Sequence, residues 1–131
     1  MSVSGWVGVD LDGTLAVYDR WRGVGHIGAP ILSVVALVQE LRAAGVVVRI
    51  FTARCQEGRL AVQAIEQWCL LHIGEVLPVT DRKDFDMAFA IDDRVFTVEA
   101  NTGRFLVPPP SANDALQHWN VPTAPPVSFR K

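Results

Sequence analysis

Short apolar runs recur along the chain and are separated by polar or helical segments. Each run is bounded by acids, glycine or other polar residues, which is typical of a strand buried in a parallel sheet. The predicted strands are residues 6–11, 46–51, 76–77, 87–91 and 104–107. Because most of these runs have no polar alternation, the sheet is expected to be covered rather than open to solvent.

Two longer segments have apolar residues three and four positions apart, which predicts amphipathic helices. The first is residues 30–45, where Pro30 suits the first turn and Gly45 the end of the helix. The second is residues 58–71. Its apolar face is predicted to consist of Ala61, Ala64, Ile65, Trp68 and Leu71.

This order of elements predicts an α/β fold, a single doubly wound and mainly parallel sheet with helices on both faces. Strands that alternate with helices over short connections form βαβ units. A Rossmann-like sheet of this kind binds ligands at the carboxyl ends of its strands. Residues 1–107 are predicted to form this core. Residues 108–131 are predicted to be a proline-rich tail, since six of the eight prolines lie between positions 108 and 126.

The composition is that of a folded protein with little net charge. Half of the 131 residues are hydrophobic, a fifth are charged, and the formal net charge is -2. This balance does not favour nucleic acid as a partner, because nucleic-acid binding usually requires a basic excess. No apolar run approaches the ~18 residues of a membrane helix, and no basic stretch precedes an apolar one at the N-terminus. We therefore expect no membrane partner and a cytoplasmic location.

Acidic side chains follow two of the predicted strands. Asp10 and Asp12 end the first strand, and Asp92 and Asp93 follow the strand at 87–91. In extended backbone a spacing of two sends the side chains of Asp10 and Asp12 to the same side. Four converging carboxylates repel one another unless a cation lies among them. Oxygen ligands alone favour a hard ion, which makes Mg²⁺ the expected cofactor.

A metal held by carboxylates suits a phosphate group, whose oxygens need further positive or hydrogen-bonding partners. Thr52 and Lys83 are the candidates for this role, and Arg54 is a further one. Lys83 is informative because the chain has only one other lysine, which is its last residue. Simpler alternatives exist for each residue: Thr52 and the Asp92-Asp93 pair as helix N-caps, and Lys83 as an exposed loop lysine.

These residues together resemble the motifs of the haloacid dehalogenase superfamily. Residues 10–15, Asp-Leu-Asp-Gly-Thr-Leu, resemble the first motif, D-x-D-G-T-[L/V]. The segment Phe-Thr-Ala-Arg at 51–54 resembles the second motif, Lys83 the third, and Ile-Asp-Asp-Arg at 91–94 the fourth. Four motifs in the expected order are more specific than any one of them. The resemblance extends over residues 6–96.

The resemblance implies a phosphatase that works through an aspartyl-phosphate. Asp10 would be the nucleophile. Asp12 would first give a proton to the leaving oxygen and then act as a base for water. Mg²⁺ would be bound by the Asp10 side chain, the Asp12 backbone carbonyl and Asp92, with Asp93 as a direct or water-mediated ligand. The second and third motifs would hold the phosphoryl oxygens.

The connections in which this superfamily inserts cap domains are short here. Residues 13–29 form the first of them, and the second is shorter still. The resemblance therefore implies a small capless member whose open site takes a phosphorylated substrate of unspecified size, or is covered by a second copy in a homo-oligomer. Tyr18 and Trp21 lie in the first connection and are further candidates for substrate contact.

Two other functions are alternatives. The motifs are also similar to the phosphatase half of polynucleotide kinase-phosphatases, which would make the chain a 3′-phosphatase of nucleic-acid ends. Phosphorylation of Asp10 with little turnover would instead make it a signalling module like a receiver domain. Receiver domains place adjacent acids at the first strand and the phosphorylated Asp at the third, so the order of acids here favours the hydrolase. A scaffold that had lost activity would usually lack one of the motif residues, and all are present.

Overall fold

The computed structural model describes residues 5–119 and 121–126, which belong to two compact units, Met1–Asp93 and Arg94–Lys131. Within these described residues, the first unit contains a parallel sheet and two α-helices, and the second contains one short α-helix. Among the described residues, no helix has both the length and the apolar character that crossing a membrane requires.

The first unit alternates strands and helices in the predicted order. Its elements are β1 (Trp6–Val9), α1 (Leu32–Ala43), β2 (Val47–Phe51), a 3₁₀ turn (Ala53–Glu57), α2 (Arg59–His72), β3 (Val79–Thr80) and β4 (Met87–Ile91). The strands are hydrogen-bonded in the order β3-β2-β1-β4, and every pair is parallel. The α/β class and the single parallel sheet are thus confirmed. The strand predicted at 76–77 forms three residues further on, at Val79–Thr80, and Pro78, which has no N–H, gives the ladder only its carbonyl.

Both helices of the first unit pack on one face of the sheet. Val7 and Val9 of β1 and Val48 and Ile50 of β2 belong to the same buried cluster as side chains from both helices. The helical members of this cluster are Val35, Val38, Ile65, Trp68 and Cys69. The predicted helices on both faces are therefore not found within this unit. The two crossovers run in the same direction along the sheet, and right-handed crossovers of that kind place both helices on the same side.

Trp6 covers part of the opposite face of the sheet. Its ring is buried, its indole N–H donates to the Asp84 carboxylate at 2.8 Å, and it lies 4.6 Å from the Arg49 guanidinium. Gly8 lies beneath it, and a Cβ there would lie 3.1 Å from both Trp6 and Phe51, so a larger residue would require these side chains to shift. This packing ties the connection between β3 and β4 to the central strands.

The second unit differs from its predicted structure in two places. Residues 104–107 do not form a sheet strand. Phe105 instead makes a single antiparallel bridge with Val98 across a turn. The proline-rich segment contains α3 (Ala112–His118), whose first turn is capped by the Ser111 hydroxyl, which accepts a backbone N–H at 3.2 Å. None of its residues is buried. Apolar residues do recur at helical spacing here, at Ala112, Ala115 and Leu116, but the surrounding prolines led to the prediction of a tail.

Candidate active site

The carboxyl ends of β1 and β4 bring three of the predicted acids together. The Asp10 backbone N–H donates to the Ile91 carbonyl at 2.9 Å, which fixes the end of one strand beside the end of the other. One carboxylate oxygen from each of Asp10, Asp92 and Asp93 lies within 4.8 Å of the other two. We call these three residues the acidic cluster. Neighbouring parallel strands end at the same edge of a sheet, which is why residues so far apart in sequence converge here.

Gly13 and Thr14 form the turn against which Asp93 packs. Gly13 has a φ of +88°, which favours glycine, and a Cβ at this position would lie 2.5 Å from Oδ2 of Asp93, so that carboxylate would have to move to admit another residue. The buried Thr14 hydroxyl donates to Oδ1 of Asp93 at 3.0 Å and lies 3.4 Å from Oδ2 of Asp10. The turn thereby connects two members of the acidic cluster, a contact that residue spacing alone does not indicate.

Burial, together with the neighbouring acids of the cluster, raises the pKa of Asp10 from 3.8 to about 8. Burial is the largest cause, followed by the hydrogen bond to Asp93 and the negative charges of Asp92 and Asp93, while the Leu11 backbone N–H acts in the opposite direction. A carboxyl in these surroundings stays protonated at neutral pH unless positive charge is added. The donor atoms are all carboxylate oxygens, which fit a hard divalent cation.

Asp12 has a different partner from Asp10. Its Oδ2 accepts from Nε of Arg54 at 2.7 Å and its Oδ1 from Nη2 at 2.8 Å, which is a bidentate pair. The Arg54 side chain is 5% exposed, and its Nη1 has no acceptor among the described residues. The ring of Trp21 lies over this guanidinium, 4.9 Å from Cζ to the ring centroid. Sequence reasoning missed the pairing, because Arg54 follows Asp12 by 42 positions.

Thr52 caps the 3₁₀ turn that carries Arg54. The Thr52 Oγ1 accepts the Arg54 backbone N–H at 3.1 Å, and its own N–H donates to the Thr80 carbonyl at 2.9 Å. The N-cap alternative for Thr52 is thus confirmed. A hydroxyl that accepts a hydrogen bond still has its own proton to donate, so capping leaves a phosphate-binding role open to this buried residue.

Lys83 lies in the connection between β3 and β4 and is exposed. It makes no hydrogen bond or ion pair with the residues that the structure describes, so its phosphate-binding role stays a prediction. Asp92 and Asp93 are followed by a turn and not by a helix, so the N-cap alternative for this pair is wrong.

Comparisons of the chain with protein-family models, with curated proteins and with solved structures find no match. The resemblance to the haloacid dehalogenase superfamily therefore depends on the four motifs in the sequence. The placement of the acids that those motifs contribute is a separate observation, made at one edge of the sheet.

Proposed function

We propose that this chain is a Mg²⁺-dependent phosphohydrolase, a phosphomonoesterase that forms an aspartyl-phosphate on Asp10. The observation that carries the proposal is the acidic cluster at the carboxyl ends of two neighbouring parallel strands. The proposal includes membership of the haloacid dehalogenase-like superfamily as a capless member. It is supported by the connection between β1 and α1, where the structure has no helix and only isolated β-bridges.

Mg²⁺ fits the acidic cluster by donor type and by charge. Asp10, Asp92 and Asp93 would hold it, and the backbone carbonyl of Asp12 is a fourth ligand on the resemblance alone. Bound there, the cation supplies positive charge that offsets the repulsion of the acids and the charge of a phosphoryl group. The raised pKa of Asp10 agrees with this assignment, because burial first and the neighbouring acids second disfavour its negative charge, which a cation would offset.

The first half of the proposed reaction transfers the phosphoryl group to the protein. A carboxylate oxygen of Asp10 bonds to phosphorus while the bond from phosphorus to the leaving oxygen breaks. The electron pair of that bond stays on the leaving oxygen, which takes a proton from Asp12. Thr52 and Lys83 hold the phosphoryl oxygens by hydrogen bonding and charge. The alcohol then departs.

The second half returns the protein to its starting state. Water attacks the phosphorus of the aspartyl-phosphate and gives a proton to Asp12, while the bond between phosphorus and the Asp10 oxygen breaks. One phosphomonoester and one water thus become one alcohol and one inorganic phosphate. Both carboxyl groups are restored for the next turnover.

The test is hydrolysis of 4-nitrophenyl phosphate with Mg²⁺ or with a chelator. We expect Mg²⁺-dependent turnover in the wild type and a loss on the order of 10³-fold or more in Asp10→Asn. Glu40→Gln, which neutralises an exposed acid of α1, is the matched control and should keep wild-type turnover. Turnover that is unchanged in Asp10→Asn, or the absence of turnover in the wild type, would contradict the proposal.

A rapid-quench measurement of the acyl-phosphate separates this proposal from the phospho-acceptor alternative. We expect the aspartyl-phosphate to form and decay within one turnover, with release of stoichiometric phosphate. A stable acyl-phosphate without release would favour the signalling module. A panel of sugar phosphates, nucleotides, phosphopeptides and 3′-phosphorylated oligonucleotides then defines the substrate and tests the 3′-phosphatase alternative.

A further inference from the structure

We infer that Arg54 is a positioning residue that acts through Asp12, and that Trp21 supports it by stacking on its guanidinium. The inference rests on the proposed function and deepens it, because it gives Arg54 a role other than binding the phosphoryl group. It begins from the pairing of these three side chains in the structure.

The two hydrogen bonds from Arg54 fix the orientation of the Asp12 carboxylate. At 2.7 and 2.8 Å they are short, charge-assisted bonds, and each goes to a different oxygen. A carboxylate held by one hydrogen bond can still rotate about the bond between Cβ and Cγ. The planar fork of an arginine allows one arrangement only, which lysine cannot reproduce. The direction in which Asp12 presents its oxygens is therefore set by Arg54.

Arg54 is itself held by the residues around it. Its backbone N–H is bound by the Thr52 hydroxyl at 3.1 Å, its side chain is 5% exposed, and the Trp21 ring covers the guanidinium. Trp21 is itself 45% exposed. Its ring therefore lies between the guanidinium and the solvent on the side that it covers. A side chain so confined has few other positions to adopt, which is what a positioning residue requires.

Stability alone does not account for this arrangement. The side chains of Arg54 and Asp12 are 5% and 20% exposed, which makes this pair more buried than the ion pairs formed by Arg22, Arg42, Arg49 and Arg104. Burying a charged pair costs about as much desolvation as its attraction returns, and apolar replacements are often no less stable. The unpaired Nη1 of Arg54 adds to that cost. A buried pair of this kind is expected where the function requires a carboxylate to hold one fixed orientation.

The experiment is a double-mutant cycle with Asp12→Asn and Arg54→Gln, measured as kcat/KM, which reports the first half of the reaction. Two substrates are compared in the same assay. The 4-nitrophenolate of 4-nitrophenyl phosphate leaves without much help from an acid, whereas the alkoxide of a simple alkyl phosphate depends on protonation. Inhibition by inorganic phosphate is measured alongside, because it reports phosphate binding without the chemical step.

We expect Arg54→Gln to lower kcat/KM for the alkyl phosphate about tenfold more than for 4-nitrophenyl phosphate. In the Asp12→Asn background the same change should have almost no further effect, and inhibition by phosphate should be as in the wild type. Trp21→Ala should also lower kcat/KM more for the alkyl phosphate than for 4-nitrophenyl phosphate, but by a smaller factor than Arg54→Gln. Arg42→Gln is the control. It removes an arginine from a more exposed ion pair with Glu75 and should leave kcat/KM unchanged for both substrates.

Arg54→Lys provides the same comparison in a variant that keeps the positive charge, and we expect it to lie between Arg54→Gln and the wild type. Equal losses with both substrates, losses that multiply in the double variant, or weaker inhibition by phosphate would each overturn the inference. The proposed function would then still stand, because wild-type turnover is measured in the same assay. Absence of wild-type turnover would overturn both.

Discussion

Asp10 and Asp12 carry the same side chain two positions apart, yet their neighbours have opposite charges. Asp10 lies among Asp92 and Asp93, and its pKa is raised to about 8. Asp12 is held by two of the three guanidinium nitrogens of Arg54, Nε and Nη2. The difference follows from the strand order. The central strand β1 has β4 on one side, which supplies the acids, and β2 on the other, which leads to the turn that carries Arg54.

The strand order therefore gives Asp10 and Asp12 different surroundings, although their spacing in the sequence alone would place both in one site. An acid among acids is a strong candidate for a ligand of a cation, whereas an acid bound by arginine has its charge already balanced. The proposed function assigns cation binding and phosphoryl transfer to Asp10 and proton transfer to Asp12. Four variants or conditions test it, and they follow in order of decreasing effect.

The largest effect is expected from exchanging each carboxyl for an amide. Asp10→Asn removes the proposed nucleophile, so we expect a loss on the order of 10³-fold or more in kcat/KM for every substrate. Asp12→Asn should lower kcat/KM for an alkyl phosphate by about 10² to 10⁴-fold but affect 4-nitrophenyl phosphate much less. Steady-state assays with both substrates measure this contrast. If both variants showed the same dependence on the leaving group, Asp10 and Asp12 would not have the distinct roles that we propose.

Gly13→Ala should disturb the Asp10 side of the site and leave the Asp12 side intact. The new methyl group would lie 2.5 Å from the Asp93 carboxylate in a backbone with φ of +88°. We expect a loss of roughly 2 to 3 kcal/mol in the free energy of unfolding, together with weaker Mg²⁺ binding by calorimetry.

Gly45→Ala is the matched control for this substitution. Gly45 has a φ of +86°, and an added Cβ there meets nothing within 4 Å. It should therefore lose only the backbone contribution of about 1 kcal/mol and keep Mg²⁺ binding. If both alanine variants bound Mg²⁺ like the wild type, the contact with Asp93 would have no bearing on the cation.

The stability of the metal-free protein should fall as the pH rises from about 4 to about 8. Below this window Asp10 is protonated in both states. Within it the unfolded chain releases the proton while the folded protein, with the pKa raised to about 8, retains it. We expect a loss of about 2 kcal/mol across the window, after allowance for the solvent that screens this half-buried group.

Chemical denaturation at several pH values, with a chelator present, measures this dependence. In Asp10→Asn the slope should be flatter by the same amount, and Mg²⁺ should restore wild-type stability most strongly at pH 8. An identical pH dependence in wild type and Asp10→Asn would show that Asp10 titrates as an ordinary carboxyl.

The smallest effect is expected at Thr14, which connects two members of the acidic cluster. Thr14→Val keeps the buried shape but removes the hydroxyl that donates to Asp93 at 3.0 Å. A loss of about 1 kcal/mol in the free energy of unfolding is expected. Thr14→Ser retains the donor and should recover most of it. Equal losses in the two variants would indicate that packing of the methyl group, and not the hydrogen bond, matters here.

The sequence pattern predicts the order of elements well because each depends on local periodicity. It is less accurate for side chains near the end of a helix face. Leu71 was predicted to lie on the apolar face of α2 but is 78% exposed, whereas Cys69 is buried. At 100° per residue, positions 69 and 71 lie on opposite edges of the face formed by Ala61, Ile65 and Trp68, so periodicity alone does not decide which of the two is buried.

The candidate site was predictable in part for a similar reason. Acids at strand ends follow from the pattern once the strands are known to be parallel, so the convergence of Asp10 with Asp92 and Asp93 could be expected. The pairing of Asp12 with Arg54 could not. It depends on which strand lies beside β1 and on the 3₁₀ turn that orients the arginine, and neither is encoded in a local pattern.

The length of β3 has a consequence for backbone dynamics. Strand β1 is paired along both edges, while β3 has two residues paired with β2 alone. Amide hydrogens of β1 should therefore exchange with solvent slowest in the sheet. The Thr52 amide, bound to the Thr80 carbonyl, should be released by a local opening of much lower free energy. Both aspartates of the first motif are thus anchored to the most exchange-protected segment, and Thr52 borders the segment that opens first.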